Sequence, residues 1–525
     1  MLSSITTALA VTILAFAIYI LKRPNKTIMP PGTRSPPGPV GKPIIGSMLD
    51  IPPVHSWFKF KELTDQYGPI TKITIAGQDH VLLGTEQVAN DLLRERGSIY
   101  SDRPTFHAAN IMTRGLIPLL LRYGDVWRTQ RSFFHHVMST KAAASYASEL
   151  EIEATRMARD LIRDPSDYEN FFERYSGGII LRLAFGVRIE SGRDPRCQSS
   201  LKAVHDLERV ASPAQYLVDL LPAMKRLPEF LAPWKTELIN LRTEHETFFR
   251  SMLDGAKRDK SGGKGIKSWA NVWLSNTGQW NLDDLTAAHM FGGLLEAGSG
   301  TSGSTLMSFC LLMTRTGQLE ILQQELDRVV GAERVPTIAD LPQLPTVRAF
   351  AKEVLRFYPV TAGGAPHMLT KDDVYKGFFF KAGTFFHANQ WAIHRDPEQY
   401  PDPESFNPQR WLDPKYPTYR EPLTQYPNLV NYTCFGSGRR ICPGQHVAEL
   451  SVFLGIAMIA WGCNISKAKD DAGQDITPPF YDFNIGFNVQ PNKFLFKLEP
   501  RSKQRIDVLE MAYESSLEAD PLLVK

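Results

Sequence analysis

The decapeptide "FGSGRRICPG", Phe435–Gly444, constrains this chain more than any other stretch of it. Gly436, Gly438 and Gly444 let the backbone bend close to one point, and Pro443–Gly444 lead directly into the apolar run "AELSVFLGIAMIAWGC". The pattern predicts a tight loop whose amides face the Cys442 sulfur, then a helix whose N-terminal dipole favours a negative atom there. Arg439 and Arg440 add cations, and Phe435 adds a flat apolar surface. A thiolate is a soft metal ligand whose charge needs such support. A glycine-walled pocket around one thiolate suits a single axial ligand on a flat metal macrocycle. The other cysteines, Cys197, Cys310, Cys434 and Cys463, are scattered without CxxC spacing, which argues against a disulfide framework and a zinc site. Cys434 reads as a small packed residue.

Ahead of this lies a chain of several distinct compositions. "ITTALAVTILAFAIYIL", Ile5–Leu21, carries no charge and is followed at once by Lys22 and Arg23. A ~30 Å hydrocarbon core takes about 20 helical residues, so residues 1–21 read as a transmembrane signal anchor. A cleaved signal carries positive charge before its apolar run and a small-residue cleavage site after it, and neither is present here. Positive charge on the C-terminal side keeps the remainder of the chain in the cytosol. No other stretch reads as a span, although residues 216–234, interrupted by Pro, Lys, Arg and Glu, could rest on a membrane surface. Residues 22–46 contain "PNKTIMPPGTRSPPGPVGKPIIG" and read as a stiff, extended linker. Residues 47–505 read as one large domain, mainly α with a small β portion, and residues 506–525 as a C-terminal tail. Within the domain, residues 70–83 alternate around a Gly turn as a hairpin, and helical periodicity dominates from 86 to about 355. After Val360 the chain turns Pro-, Gly- and aromatic-rich. A formal net charge of +3 and the lack of a basic arm argue against a nucleic-acid partner.

The cysteine loop resembles the haem-ligand loop of the cytochrome P450 family, F-x-x-G-x-R-x-C-x-G, with Phe435, Gly438, Arg440, Cys442 and Gly444 at its fixed positions. Three more segments resemble family motifs in the family's order. "WRTQR", Trp127–Arg131, is similar to the helix whose Trp and Arg bond a haem propionate. "EVLR", Glu353–Arg356, is similar to the helix whose Glu and Arg pair, and an i,i+3 spacing puts both charges on one face. "FNPQRW", Phe406–Trp411, is similar to the segment whose Arg, here Arg410, joins that pair. With the "PPGP" hinge at Pro36–Pro39 and the N-terminal anchor, the resemblance covers essentially the whole chain.

The resemblance implies the cytochrome P450 fold behind an N-terminal anchor, haem b, and an axial thiolate from Cys442 that favours O–O cleavage. It places Arg440, Trp127 and Arg131 on the propionates. Where the family often has a further Arg, this chain reads "GGAPHM", so His367 takes that place. The stretch "MFGGLLEAGSGTSGSTLMSF" from Met290 resembles the helix over the haem, whose Thr, here Thr301, directs protons to dioxygen. The family's acid before that Thr is here Gly300. Glu296, one turn earlier, either delivers protons through water or pairs elsewhere. Ser299 and Ser302 read as helix-packing hydroxyls.

The implied activity is a monooxygenase in the endoplasmic reticulum membrane, catalytic domain in the cytosol, that inserts one atom of dioxygen into a C–H bond. Its implied partners are an NADPH–haemoprotein reductase, with cytochrome b5 as a further donor, and membrane lipid. "GGLLEAGSGTS" and "APHM" look most like membrane-bound fungal members that oxidise polyketides and other secondary metabolites. The implied substrate is small and hydrophobic or phenolic. Gly300 keeps a second reading open, a haem-thiolate isomerase or dehydratase that consumes neither NADPH nor dioxygen.

Overall fold

The computed structural model describes residues 29–212, 215–263 and 267–523. The expected anchor, residues 1–21, lies outside the described residues. The longer helices are α1 (Ser56–Tyr67), α2 (Asp125–Met138), α3 (Ala147–Arg163), α4 (Tyr168–Phe185), α5 (Pro195–Ala211), α6 (Pro233–Ser261), α7 (Asp284–Thr316), α8 (Leu319–Val329), α9 (Pro345–Phe357), α10 (Gln445–Gly462) and α11 (Lys503–Glu518). The expected hairpin forms as β1 (Ile70–Ile75) and β2 (Gln78–Leu83), paired antiparallel. Ala76 and Gly77 between them both take positive φ, 47° and 78°, the twist that suits a two-residue hairpin turn. A later strand, Phe385–Ala388, runs parallel to β2 and extends the sheet, and His367–Met368 pairs antiparallel on its far edge. This small sheet packs beside a helical body, as the composition led one to expect.

The core centres on α7, which packs against α4, α5, α6 and α10. α7 is 33 residues long, starts where the Asp283 carboxylate accepts the Thr286 N–H (2.9 Å), and ends at Gly317 in the left-handed region (φ 66°). Such a length needs apolar neighbours on most sides, and most of its residues are buried. α10 is apolar all round because α3, α7, α8 and α9 surround it. By length and hydropathy it too would pass for a membrane span, contrary to the expectation that no second stretch would. Its burial explains its composition.

Residues 506–525, expected as a tail, belong instead to the folded body as far as Leu523. α11 lies against α3, where Glu510 accepts from Arg159 (2.7 Å) and Arg163 (2.9 Å). Beyond the helix, the fully buried Asp520 accepts two 2.8 Å bonds from Arg182 of α4.

Candidate active site

The cysteine loop folds as its glycines require. Gly436 and Gly438 take φ of 82° and 62°, and a Cβ on Gly438 would stand 2.1 Å from the Leu93 carbonyl oxygen. The Cys442 N–H donates to the Phe435 carbonyl (2.8 Å), closing the loop just ahead of α10. Burial pushes the Cys442 thiol up, while the Gly444 N–H and the Arg131 guanidinium pull it down. The cation beside the sulfur is therefore Arg131, and neither Arg439 nor Arg440 as the loop's sequence suggested. Arg439 is exposed and bonds the Tyr123 hydroxyl. Arg440 donates to the carbonyls of Ser101 and Leu121, both at 2.8 Å, and lies 4.3 Å over the Trp127 ring.

Around Arg440 the structure gathers positive charge without matching anions. Arg131 is half-buried and forms no ion pair or hydrogen bond among the described residues. Trp127 is 8% exposed, and its indole N–H has no partner there either. Arg103, which no motif marks, joins them. It is buried, donates to the carbonyls of Ala365 (2.8 Å) and Pro366 (2.6 Å), and is pushed down to about 10, chiefly by burial. Arg440 is pushed down to about 9 by burial, then by Arg103. The Asp102 carboxylate near them is taken up by Arg122 and the Tyr123 N–H. His367 is buried beside this group, and burial and Arg103 hold it well below its usual value. Its Nδ1–H donates to the Tyr100 carbonyl (2.8 Å), so the neutral ring has no second N–H for a carboxylate. The ring's one N–H is thus committed to the backbone, and Arg103 brings a guanidinium to the same place.

Behind the loop, Glu353, Arg356 and Arg410 assemble as their motifs suggest. The fully buried Glu353 carboxylate takes both Arg356 (2.8 and 3.0 Å) and Arg410 (3.1 Å). Two partners that the sequence did not mark, the Asn407 N–H and the Trp411 indole, complete its shell, each at 2.9 Å.

At the middle of α7 the burial pattern breaks. Ala297 is exposed, and Gly298, Gly300, Thr301 and Ser302 are half-exposed, within a helix that is mostly buried on either side. A Cβ on Gly300 would have no atom within 4 Å, so open space adjoins the helix here. The Thr301 hydroxyl donates to the Ala297 carbonyl (3.0 Å). Glu296 is 5% exposed, and neither carboxyl oxygen has a partner among the described residues. Burial holds it well above the usual carboxylate range. No pairing partner for it stands among the described residues. Ser299 and Ser302 pack as expected, against Ser200 (2.6 Å) and Ser451 (3.3 Å).

The sequence model for "Cytochrome P450" matches residues 36–497. Among similar proteins, cytochrome P450 monooxygenase fogE of Aspergillus ruber is 32% identical over 474 residues, 90% of this chain and 88% of its own. Cytochrome P450 monooxygenase 58 of Postia placenta is 33% identical over 499 residues, 93% of each chain. Cytochrome P450 monooxygenase psoD of Aspergillus fumigatus is 33% identical over 458 residues, 86% of this chain and 88% of its own.

The family's group fits the residues present. The half-buried Cys442 thiol becomes a stable thiolate only against a strong positive partner, which an iron centre would supply. Unpartnered N–H donors on Arg131 and Trp127 match the carboxylates of a porphyrin. The opening along α7 leaves room above a flat ring. With matches running from the proline hinge to the last strand, the chain belongs to the cytochrome P450 family and is a monooxygenase that carries haem b on a cysteine thiolate.

Proposed function

We propose that this protein hydroxylates a small apolar or aromatic substrate, a phenolic polyketide or similar fungal secondary metabolite, with electrons from NADPH delivered by an NADPH–haemoprotein reductase. Cys442 is the axial ligand in this reading, and Arg440, Arg131, Trp127 and Arg103 hold the propionates. Phe435, Gly438 and Gly444 shape the loop beneath the ring. Bound haem supplies the activation of dioxygen. The observation that carries the reading is the buried, unpartnered Glu296 beside an open stretch of helix at Gly300 and Thr301. A hydroxylase needs protons delivered to reduced oxygen, whereas an isomerase or dehydratase working on a rearranging substrate does not. Glu296 holds the proton in an apolar setting, Gly300 leaves room for water where the family has an acid, and Thr301 receives the proton through its hydroxyl oxygen. The exposed cations Arg128, Lys141 and Arg439 offer a docking face to an acidic flavoprotein, and cytochrome b5 could use the same face.

NADPH- and dioxygen-dependent product formation by the reconstituted enzyme tests the reading, with the substrate taken from metabolites that accumulate in a deletion strain. Turnover without NADPH and dioxygen would favour the isomerase or dehydratase. Glu296→Gln is expected to lower product formed per NADPH consumed and to raise hydrogen peroxide release. A positioned proton donor contributes ~10²-fold or more, so the change will stand clear of assay scatter. Gly300→Asp is expected to restore part of the coupling. Tight coupling in Glu296→Gln, with uncoupling in Thr301→Ala, would make Glu296 a structural residue.

The catalytic domain faces the cytosol from the endoplasmic reticulum membrane in this reading. Val40 (98% exposed), Phe230 (83%) and Leu217 (58%) give the linker and the 216–234 segment apolar surface suited to lipid. Deleting residues 1–21 is expected to shift the protein toward the soluble fraction with haem binding intact, as fractionation and the reduced carbon monoxide spectrum will report. A truncated protein still wholly in membranes would transfer the anchoring to 216–234.

A further inference from the structure

The sheet carries a pair of histidines that no motif above uses. His80 lies on β2 and His387 on the parallel strand Phe385–Ala388. In the register His80 stands opposite Phe385 and Leu82 opposite His387, so alternation puts the two imidazoles on one side of the sheet. His80 Nδ1 and His387 Nε2 are 2.9 Å apart. The rings lie nearly parallel, 16° between planes with centroids 5.2 Å apart. Phe385 packs edge-on against His80 (5.1 Å) and Phe60 of α1 against His387 (5.5 Å), which holds both rings in place. Each histidine is half-exposed, and the other nitrogen of each ring has no protein partner among the described residues.

As the pair stands, one proton bridges the two nitrogens. After a small turn of each ring a metal ion can take that place, with the displaced proton moving to the ring's outer nitrogen. Imidazole nitrogens bind first-row divalent ions at ~2.0–2.1 Å, and two such bonds at a right angle set their nitrogens about 2.9 Å apart. A tetrahedral angle would need about 3.3 Å. The observed separation therefore suits an ion with right-angled ligand positions, of which copper(II) binds nitrogen most tightly. Burial pushes the His80 ring down to about 4 and the His387 ring to about 3, so protons compete little with a cation at neutral pH. No third histidine, cysteine, aspartate or glutamate joins them among the described residues, so water fills the remaining positions.

We propose that His80 and His387 form a binding site for a divalent transition-metal ion, copper(II) foremost, separate from the haem. His80 Nδ1, His387 Nε2 and water hold the ion. It clamps β2 to the strand whose other edge pairs with His367–Met368, and so stiffens the sheet beside the cationic group of Arg103 and Arg440.

The test titrates tag-free, full-length ferric holoenzyme with copper(II) chloride. Equilibrium dialysis counts the bound copper, and electron paramagnetic resonance reports nitrogen ligands by the splitting they impose on its signal. Wild type is expected to take up one nitrogen-ligated equivalent ahead of any further copper. His80→Asn and His387→Asn are each expected to weaken that equivalent by about tenfold or more, since losing a direct ligand costs at least as much as losing an outer partner. His135→Asn changes an exposed histidine elsewhere and is expected to bind as wild type does. Unchanged reduced carbon monoxide spectra show that the variants are folded and loaded with haem. A first equivalent held at wild-type affinity by either His80→Asn or His387→Asn, or weakened as much in His135→Asn, would overturn the proposal. Wild type without nitrogen-ligated copper at one equivalent would overturn it with no variant needed.

Discussion

Glu353→Ala is expected to destabilise the protein by about 3–5 kcal/mol and to leave little soluble, haem-loaded enzyme. Glu353 is completely buried, and its two oxygens accept five hydrogen bonds from Arg356, Arg410, Asn407 and Trp411. Alanine would strand two guanidiniums in a low-dielectric interior. The cost of leaving a buried charge unpaired far exceeds what the ion pairs contributed net. The damage would also spread, because the same arginines hold the approach to the cysteine loop. Arg356 donates to the carbonyls of His394, Pro403 and Ser405, and Arg410 to that of Pro401, all at about 3 Å. Glu353→Gln keeps an acceptor oxygen and is expected to lie between wild type and alanine. Denaturant unfolding of the three proteins checks the order. A loss under about 1 kcal/mol in Glu353→Ala would mean that water or another anion compensates the arginines.

Motifs that depend on local spacing were readable from the sequence, and contacts that depend on where distant segments meet were not. Glu353 and Arg356 share a helix face at i,i+3, and the 70–83 hairpin has a two-residue turn, so both follow from the chain locally. Gly438 is needed because its backbone turns to positive φ against Leu93, which a glycine in a loop already suggests. Arg103 carries no such mark. It matters because the fold brings it to Arg440, and nothing near it in sequence announces that meeting. The sequence also offered Arg439 and Arg440 as neighbours of the sulfur, yet adjacent side chains in a turn point apart, and Arg131 from α2 takes that place. α10 illustrates a different limit. A helix buried on all sides and a helix in lipid need the same composition, so hydropathy could not separate them. The Glu208–Asn488 contact joins residues far apart in sequence through one turn and left no periodic trace.

The central claim is that Cys442, and no other thiol, ligates the iron. Its loop brings the Gly444 N–H to the sulfur, α2 adds the charge of Arg131, and α10 starts immediately behind it. Cys434 is the demanding control, since it lies in the approach to the same loop. It packs against a buried cluster that includes Leu355, Tyr400 and Trp411, and burial holds its thiol well above the usual value. Serine is close in size to cysteine but offers no soft thiolate, so the exchange tests ligation with little change of packing. The reduced, carbon monoxide-bound difference spectrum reads the axial ligand directly. Cys442→Ser is expected to lose the thiolate-type band completely, and Cys434→Ser to keep it at wild-type position and near wild-type yield. A band that survives in Cys442→Ser, or is lost in Cys434→Ser alone, would contradict the account.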